Sequence, residues 1–149
     1  MAIFNALNIS ASGMSAQRIR MDILAENAAN VKTTRTDDGT PYRRKNVVFM
    51  EKPANSFSTI LNSATGNRNA YIGSGVKVTK IVEDTKTPMS MVYDPAHPDA
   101  DENGYVTFPN VNVVTEMTDL IDATRAYEAN VTAFNATKSM AMQALEIGR

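Results

Sequence analysis

The chain has 149 residues, enough for one ordinary domain or one small domain with long extensions. Its 15 Lys and Arg nearly balance its 16 Asp and Glu, for a net charge of -1, so it shows neither the basic excess nor the basic stripe of a nucleic-acid binder. With no cysteine it can form no disulfide, no zinc–thiolate site and no thiol nucleophile.

No run of about 18 apolar residues occurs, so no membrane span is expected. The opening Met1-Ala2-Ile3-Phe4-Asn5 carries no basic residue before Arg18, and Asn5, Asn8, Ser10 and Ser12 interrupt its apolar content. A cleavable signal peptide is therefore not expected, and a chain that leaves the cytoplasm would do so with its N-terminus intact.

From Phe4 to Asn30 there is no proline and a single glycine, Gly13. Phe4, Leu7, Ala11, Met14, Met21, Ala25 and Ala28 recur at steps of three and four, with Arg18 as the exception, which is the stripe of a helix packed along one seam. A second stripe, Ile9, Ala16 and Ile23, lies on a neighbouring face and is expected to be left for neighbouring molecules.

The middle, roughly 31 to 111, holds all six prolines. Strand-like runs occur at Tyr42 to Phe49, Val76 to Val82 and Met89 to Tyr93, and Asn103-Gly104 before Tyr105-Val106-Thr107-Phe108 is a hairpin signal. Residues 52 to 75 are rich in Asn, Ser, Thr and Gly and read as a long loop, flexible at 53–70.

From about Asn112 the helical seam returns as Met117, Leu120, Thr124, Tyr127, Val131, Phe134, Ala141 and Leu145, with Lys138 as the exception. Glu116, Asp119 and Asp122 in its first turns complement the positive end of the helix dipole. The expectation is an α+β chain. A helix in 1–32 and a helix in 112–149 pair as an antiparallel coiled coil, and a small β-rich insert, 33–111, contains a hairpin and the long loop.

Burial of the large seam residues falls short of the cost of ordering two such helices, so the ends are expected to become helical on assembly. The predicted assembly interface is Leu7, Met14, Met21, Met117, Leu120, Tyr127, Val131, Phe134 and Leu145. Replacing Leu120 or Phe134 by Asp is expected to abolish assembly. The basic cluster Arg43-Arg44-Lys45 is expected to make polar contacts with a neighbouring subunit. On pattern alone a monomeric helical hairpin or a closed dimer is the commoner outcome, and open assembly the less common one.

No nucleophile–base pair or paired acid site stands out at motif spacing, so no catalytic residue, cofactor or metal site is assigned and the chain is not expected to be an enzyme. Asp99-Ala100-Asp101-Glu102-Asn103-Gly104 begins like a calcium loop, but its twelfth position is Asn110, which supplies no bidentate carboxylate. His97 is the single histidine, and with no second His and no Cys it reads as a turn residue between prolines.

Several stretches carry a family resemblance. ALNISASGMSAQR from Ala6 to Arg18, AENAAN from Ala25 to Asn30, and Thr33-Thr34-Arg35 resemble the N-terminal signature of bacterial flagellar rod and hook proteins. NVVTEMTDLI from Asn112 to Ile121 and RAYEANV from Arg125 to Val131 resemble that family's C-terminal signature. GTPYRRK from Gly39 to Lys45, YDPAHPDAD from Tyr93 to Asp101, Gly104-Tyr105-Val106 and Pro109-Asn110-Val111-Asn112 are similar to the central motifs of a short-insert basal-body rod member. Glu26, Ala28 and Lys32 depart from the residues more usual there.

The resemblance implies a structural subunit of the proximal rod, with terminal helices in the inner tube and the insert outside. It implies helical polymerisation with other rod proteins and with copies of itself into a hollow drive shaft that transmits torque. It also implies passage through the flagellar type III export apparatus without signal cleavage, contacts with basal-body ring components, and a final place in the periplasm. The alternative is a soluble helical-hairpin binding module, with calcium as a candidate ligand.

Overall fold

The computed structural model describes residues 2–52 and 73–147. The loop expected to be flexible at 53–70 lies outside the described residues. The architecture is α+β: helix α1 (Ala2–Ala29), strands β1 (Lys45–Glu51), β2 (Val76–Glu83), β3 (Ser90–Tyr93) and β4 (Tyr105–Phe108), and helix α2 (Val113–Ile147). β1 pairs with β2, and β3 pairs with β4. Among the described residues no helix is long and apolar enough to cross a membrane.

Local chemistry sets the helix ends. After Ala29 the Asn30 amide N–H still reaches Glu26 O at 3.1 Å, and the Asn30 side chain donates to the same carbonyl at 2.9 Å. Thr33 then donates through Oγ1 to Asn30 Oδ1, which turns the chain out of the helix. At the start of α2, Asn112 Oδ1 accepts the free N–H groups of Val114 and Thr115 at 3.0 and 3.4 Å, a side-chain cap of the usual kind.

The β3–β4 pairing is antiparallel, with Met91 opposite Thr107 and Tyr93 opposite Tyr105. Asn103-Gly104 is therefore not the two-residue turn of a tight hairpin. It closes a longer loop, in which Gly104 takes a φ of +80° and its amide N–H bonds Asp101 O at 3.0 Å. Two prolines at 95 and 98 and a run of short polar side chains favour successive turns over a direct reversal. Tyr42, expected inside the first strand, precedes it: β1 begins at Lys45.

The chain divides into two compact units. The first is Met1–Arg18, Phe49–Thr79 and Arg125–Arg149, and the second is Ile19–Val48 and Lys80–Thr124. In the first unit the helices meet at Gly13, where a Cβ would fall 2.6 Å from Asn130 Oδ1. Only glycine lets the two backbones come that close without moving Asn130. Ser12 Oγ donates to Ile9 O at 2.7 Å and accepts the Val76 amide at 3.1 Å, fastening the start of β2 to α1. The neighbouring Gly75 has φ +100°, and an added Cβ would strike that same hydroxyl.

In the second unit the buried side chains include Ile23, Leu24, Tyr42, Val106, Pro109 and Ala123, together with Asn27 and Glu116. Here the helices pack antiparallel, Met21 against Thr124 and Asn27 against Glu116.

The face that α1 uses differs from the expected seam. Ile9, Gly13, Ala16, Arg20, Ile23 and Asn27 follow steps of four and three, and Ala16, Ile23 and Asn27 are buried within the chain. The stripe expected to await neighbours is thus the internal one, whereas Phe4, from the expected seam, is 71% exposed. Small residues allow close approach on this face and polar ones find partners there, so hydrophobicity alone scores it poorly.

Candidate functional site

Two features distinguish the surface and interior of this chain: apolar positions along the helices and a polar cluster where α1, β1 and α2 meet. The predicted interface residues divide between exposure classes. Leu7, Met14, Met21, Leu120, Tyr127, Val131 and Phe134 are half-buried within their own units. Met117 and Leu145 are 58% and 77% exposed. Val114, Ile121, Met140, Met142 and Ile147 on α2 are exposed as well.

The basic cluster separates residue by residue. Arg43 is exposed. Arg44 points inward, its Nε 2.6 Å from Glu116 Oε1 and a second nitrogen 3.6 Å from Asp119 Oδ2. Lys45 Nζ pairs with Glu26 at 2.6 Å and lies 5.5 Å from the centre of the Tyr42 ring. Two of the three cations are thus engaged inside their own chain. The first two turns of α2 supply the acids that meet Arg44, as their sequence foreshadows, but packing rather than the helix dipole alone holds them.

Asn27 is the hub. It is 0% exposed, and all its hydrogen-bonding capacity is used. Its Nδ2 donates to Lys45 O and to Glu116 Oε2, each at 2.9 Å, and its Oδ1 accepts the Lys45 amide and the Tyr42 hydroxyl, also at 2.9 Å. One side-chain amide therefore stands in for a strand partner at the first residue of β1. Glu116, 1% exposed, takes Asn27 on one oxygen and Arg44 on the other. Asp119 extends the network to Arg20 at 3.2 Å.

Asn110 ties in the loop: its Oδ1 accepts the Arg44 amide at 2.9 Å, and its Nδ2 donates to Asp84 O and Thr87 O. Two carboxylates face two guanidiniums, so the cluster is balanced in charge, as a buried ionic network must be.

Burial pushes the Tyr42 hydroxyl up from 10 to about 12, with Glu26, Glu116 and Glu83 adding repulsion against the phenolate. The folded tyrosine keeps its proton at a pH where the unfolded one has lost it. The resulting stability is complete below pH ~10 and is lost as pH rises from about 10 to about 12, by on the order of 2–3 kcal/mol. Urea unfolding at pH ~9 and pH ~11.5 should show this loss in the native chain and a flatter profile in Tyr42→Phe. Equal slopes for the two proteins would contradict it.

Sequence reasoning assigned Arg44 outward and passed over Asn27, Tyr42 and Asn110. A signal did exist: Glu116, Leu120, Ala123, Tyr127, Asn130 and Phe134 keep steps of four and three, which places an acid in the seam itself.

The calcium-loop carboxylates are spent on the protein. Asp101 Oδ1 accepts the amides of Asn103 and Tyr105 at 2.9 and 2.8 Å, and Asp99 accepts the Thr34 hydroxyl at 2.7 Å. His97 Nδ1 accepts the Asp99 amide at 3.1 Å, and its ring meets Phe108 edge-on.

Comparison with known proteins fits this arrangement of paired terminal helices around a small insert. A family described as "Flagella basal body rod protein" matches residues 7–35, most of α1 and the turn after it. A second, "Flagellar basal body rod FlgEFG protein C-terminal", matches residues 102–147, from the β3–β4 loop to the end of α2. The class is that of the flagellar rod proteins, structural components of the basal body.

Relatives matched end to end are more specific. The flagellar basal-body rod protein FlgC of Bacillus subtilis is 53% identical over 154 residues, spanning 100% of both chains. FlgC of Borreliella burgdorferi is 45% identical over 153 residues, 99% of this chain and 98% of its own. FlgC of Salmonella typhimurium is 40% identical over 149 residues, again 100% of both. The chain belongs to the FlgC family of flagellar basal-body rod proteins. It is a rod structural subunit, and the calcium-dependent hairpin module gains no support from these relatives.

Proposed function

We propose that this chain polymerises helically, with copies of itself and other rod proteins, into the proximal rod, a hollow shaft that transmits torque. The observation that carries the reading is the row of large apolar side chains, Met117 and Leu145 among them, that α2 leaves uncovered in a single chain. A monomer gains nothing from them, whereas a tube of packed helices buries them.

In that tube the helices at 1–32 and 112–149 form the inner wall as coiled coils, and the insert at 33–111 lies outside. Leu7, Met14, Met21, Met117, Leu120, Tyr127, Val131, Phe134 and Leu145 make the helical contacts. Of the basic cluster, Arg43 is the residue free to meet a neighbour's acid, while Arg44 and Lys45 first serve their own chain. The role is mechanical rather than enzymatic and requires no cofactor. The chain passes through the type III export apparatus with its N-terminus intact, assembles in the periplasm and abuts the ring components of the basal body.

A tagged chain expressed in its own deletion strain should restore swimming and co-purify with detergent-extracted basal bodies. Restored swimming with the tag found only in the soluble periplasmic fraction would overturn the assignment.

A further inference from the structure

We propose that Asn27, Glu116 and Arg44 form a register pin, a buried polar device that selects which turn of α1 faces which turn of α2. Helix faces built on steps of three and four are self-similar, and sliding one helix by a heptad restores much the same pattern of side chains. A slide of seven residues moves the pair by ~10 Å. In α2 it brings Ala123 to the position opposite Asn27 that Glu116 holds, because the two belong to the same stripe. Apolar packing tolerates that exchange. The polar cluster does not.

Asn27 would lose its carboxylate partner inside the chain, and Arg44 would lose the oxygen 2.6 Å from its Nε. Both groups would remain where water cannot easily replace what is lost. The pin also holds β1, because Asn27 binds both backbone groups of Lys45. A slipped helix would therefore drag against the strand. Buried polar groups of this kind contribute little net stability, and the fixing of register is their best-attested use. Every contact of the device lies within one chain, so it stands or falls apart from the rod assignment.

The absence of cysteine makes the test clean. Met21 Sδ and Thr124 Oγ1 lie 3.5 Å apart, so cysteines at 21 and 124 report the native register. Ala28 is one heptad from Met21, so cysteines at 28 and 124 report the slipped one. A short bis-alkylating thiol probe, with bridged products read by mass spectrometry, should bridge M21C/T124C and leave A28C/T124C unbridged.

In the Asn27→Leu, Glu116→Leu background the slipped bridge should rise at least ~10-fold, corresponding to the loss of about one buried bond's discrimination. A helical N27L/E116L chain that still forms the native bridge alone would overturn the proposal. So would loss of its helical signal, since the cluster would then be needed to fold rather than to choose.

An exchange of the two groups provides an independent check. Asn27→Asp places two carboxylates face to face and should cut the native bridge about 10-fold. Adding Glu116→Gln restores a donor–acceptor pair between the helices, although Lys45 O still faces the new carboxylate, and should raise the bridge at least ~3-fold above that of N27D alone. Failure of that rescue would also overturn the proposal.

Discussion

Replacing Glu116 by alanine should lower the thermal midpoint of the isolated chain by about 10 °C, corresponding to roughly 3–5 kcal/mol. The size follows from what is left behind rather than from what is removed. Glu116 is 1% exposed and satisfies Arg44 Nε on one oxygen and Asn27 Nδ2 on the other. Without it the amide is stranded in the interior and the guanidinium keeps only its longer contact to Asp119 at 3.6 Å.

Arg44→Ala should cost a similar amount, because it leaves the carboxylate buried without its cation. Glu116→Gln keeps the shape and an acceptor for Arg44, and should cost about 1–2 kcal/mol. The double variant E116A/R44A should be no worse than either single one, because residues of one network couple. Circular dichroism melts of the parent and the four variants decide the matter. An E116A midpoint within about 2 °C of the parent would show that the cluster relaxes to solvent and carries little energy.

Leu145→Asp and Met117→Asp should abolish swimming while leaving the isolated chain as stable as its parent. Both side chains are mostly exposed in a single chain, so a carboxylate there meets water and changes stability by no more than about 0.5 kcal/mol. In a packed tube the same carboxylate loses its water without gaining a partner, a penalty of several kcal/mol at every copy.

The same change at Leu120 or Phe134 mixes two effects, because both are half-buried within their own units and a charge there disturbs the chain itself. Soft-agar motility is the readout, with melting curves of the purified variants as the control. Normal swimming of L145D and M117D together would remove these two positions from the interface.

The parts of this fold visible in the sequence are those with a strong period. The terminal helices were expected near 4–30 and 112–147 and lie at Ala2–Ala29 and Val113–Ile147, because an uninterrupted three-and-four pattern with few breakers has one structural solution. The strand around Val76 and the strand after Asn103-Gly104 also fall where β-branched and aromatic runs place them.

The working face of α1 was not visible, because Gly13, Ala16, Arg20 and Asn27 carry little hydrophobicity. Their value comes from Asn130, Asp119 and Glu116 on the other helix. For the same reason Arg44 looked like a surface cation. A charged residue in a strand-like run is outward by default, and only the position of Glu116 in space turns it inward. Pairwise chemistry between distant residues leaves no periodic trace.

That distance has a consequence for when the chain can fold. Asn27 and Glu116 are 89 residues apart, Arg44 and Glu116 are 72 apart, and Arg20 and Asp119 are 99 apart. Each bond closes about half to two-thirds of the polypeptide into a loop, and nothing local compensates for that loss of freedom beforehand. A chain that emerges N-terminus first, from a ribosome or a narrow conduit, presents Asn27 and β1 long before their partner arrives. Glu116 therefore acts as a timer: folding of this unit waits until more than three-quarters of the sequence is out.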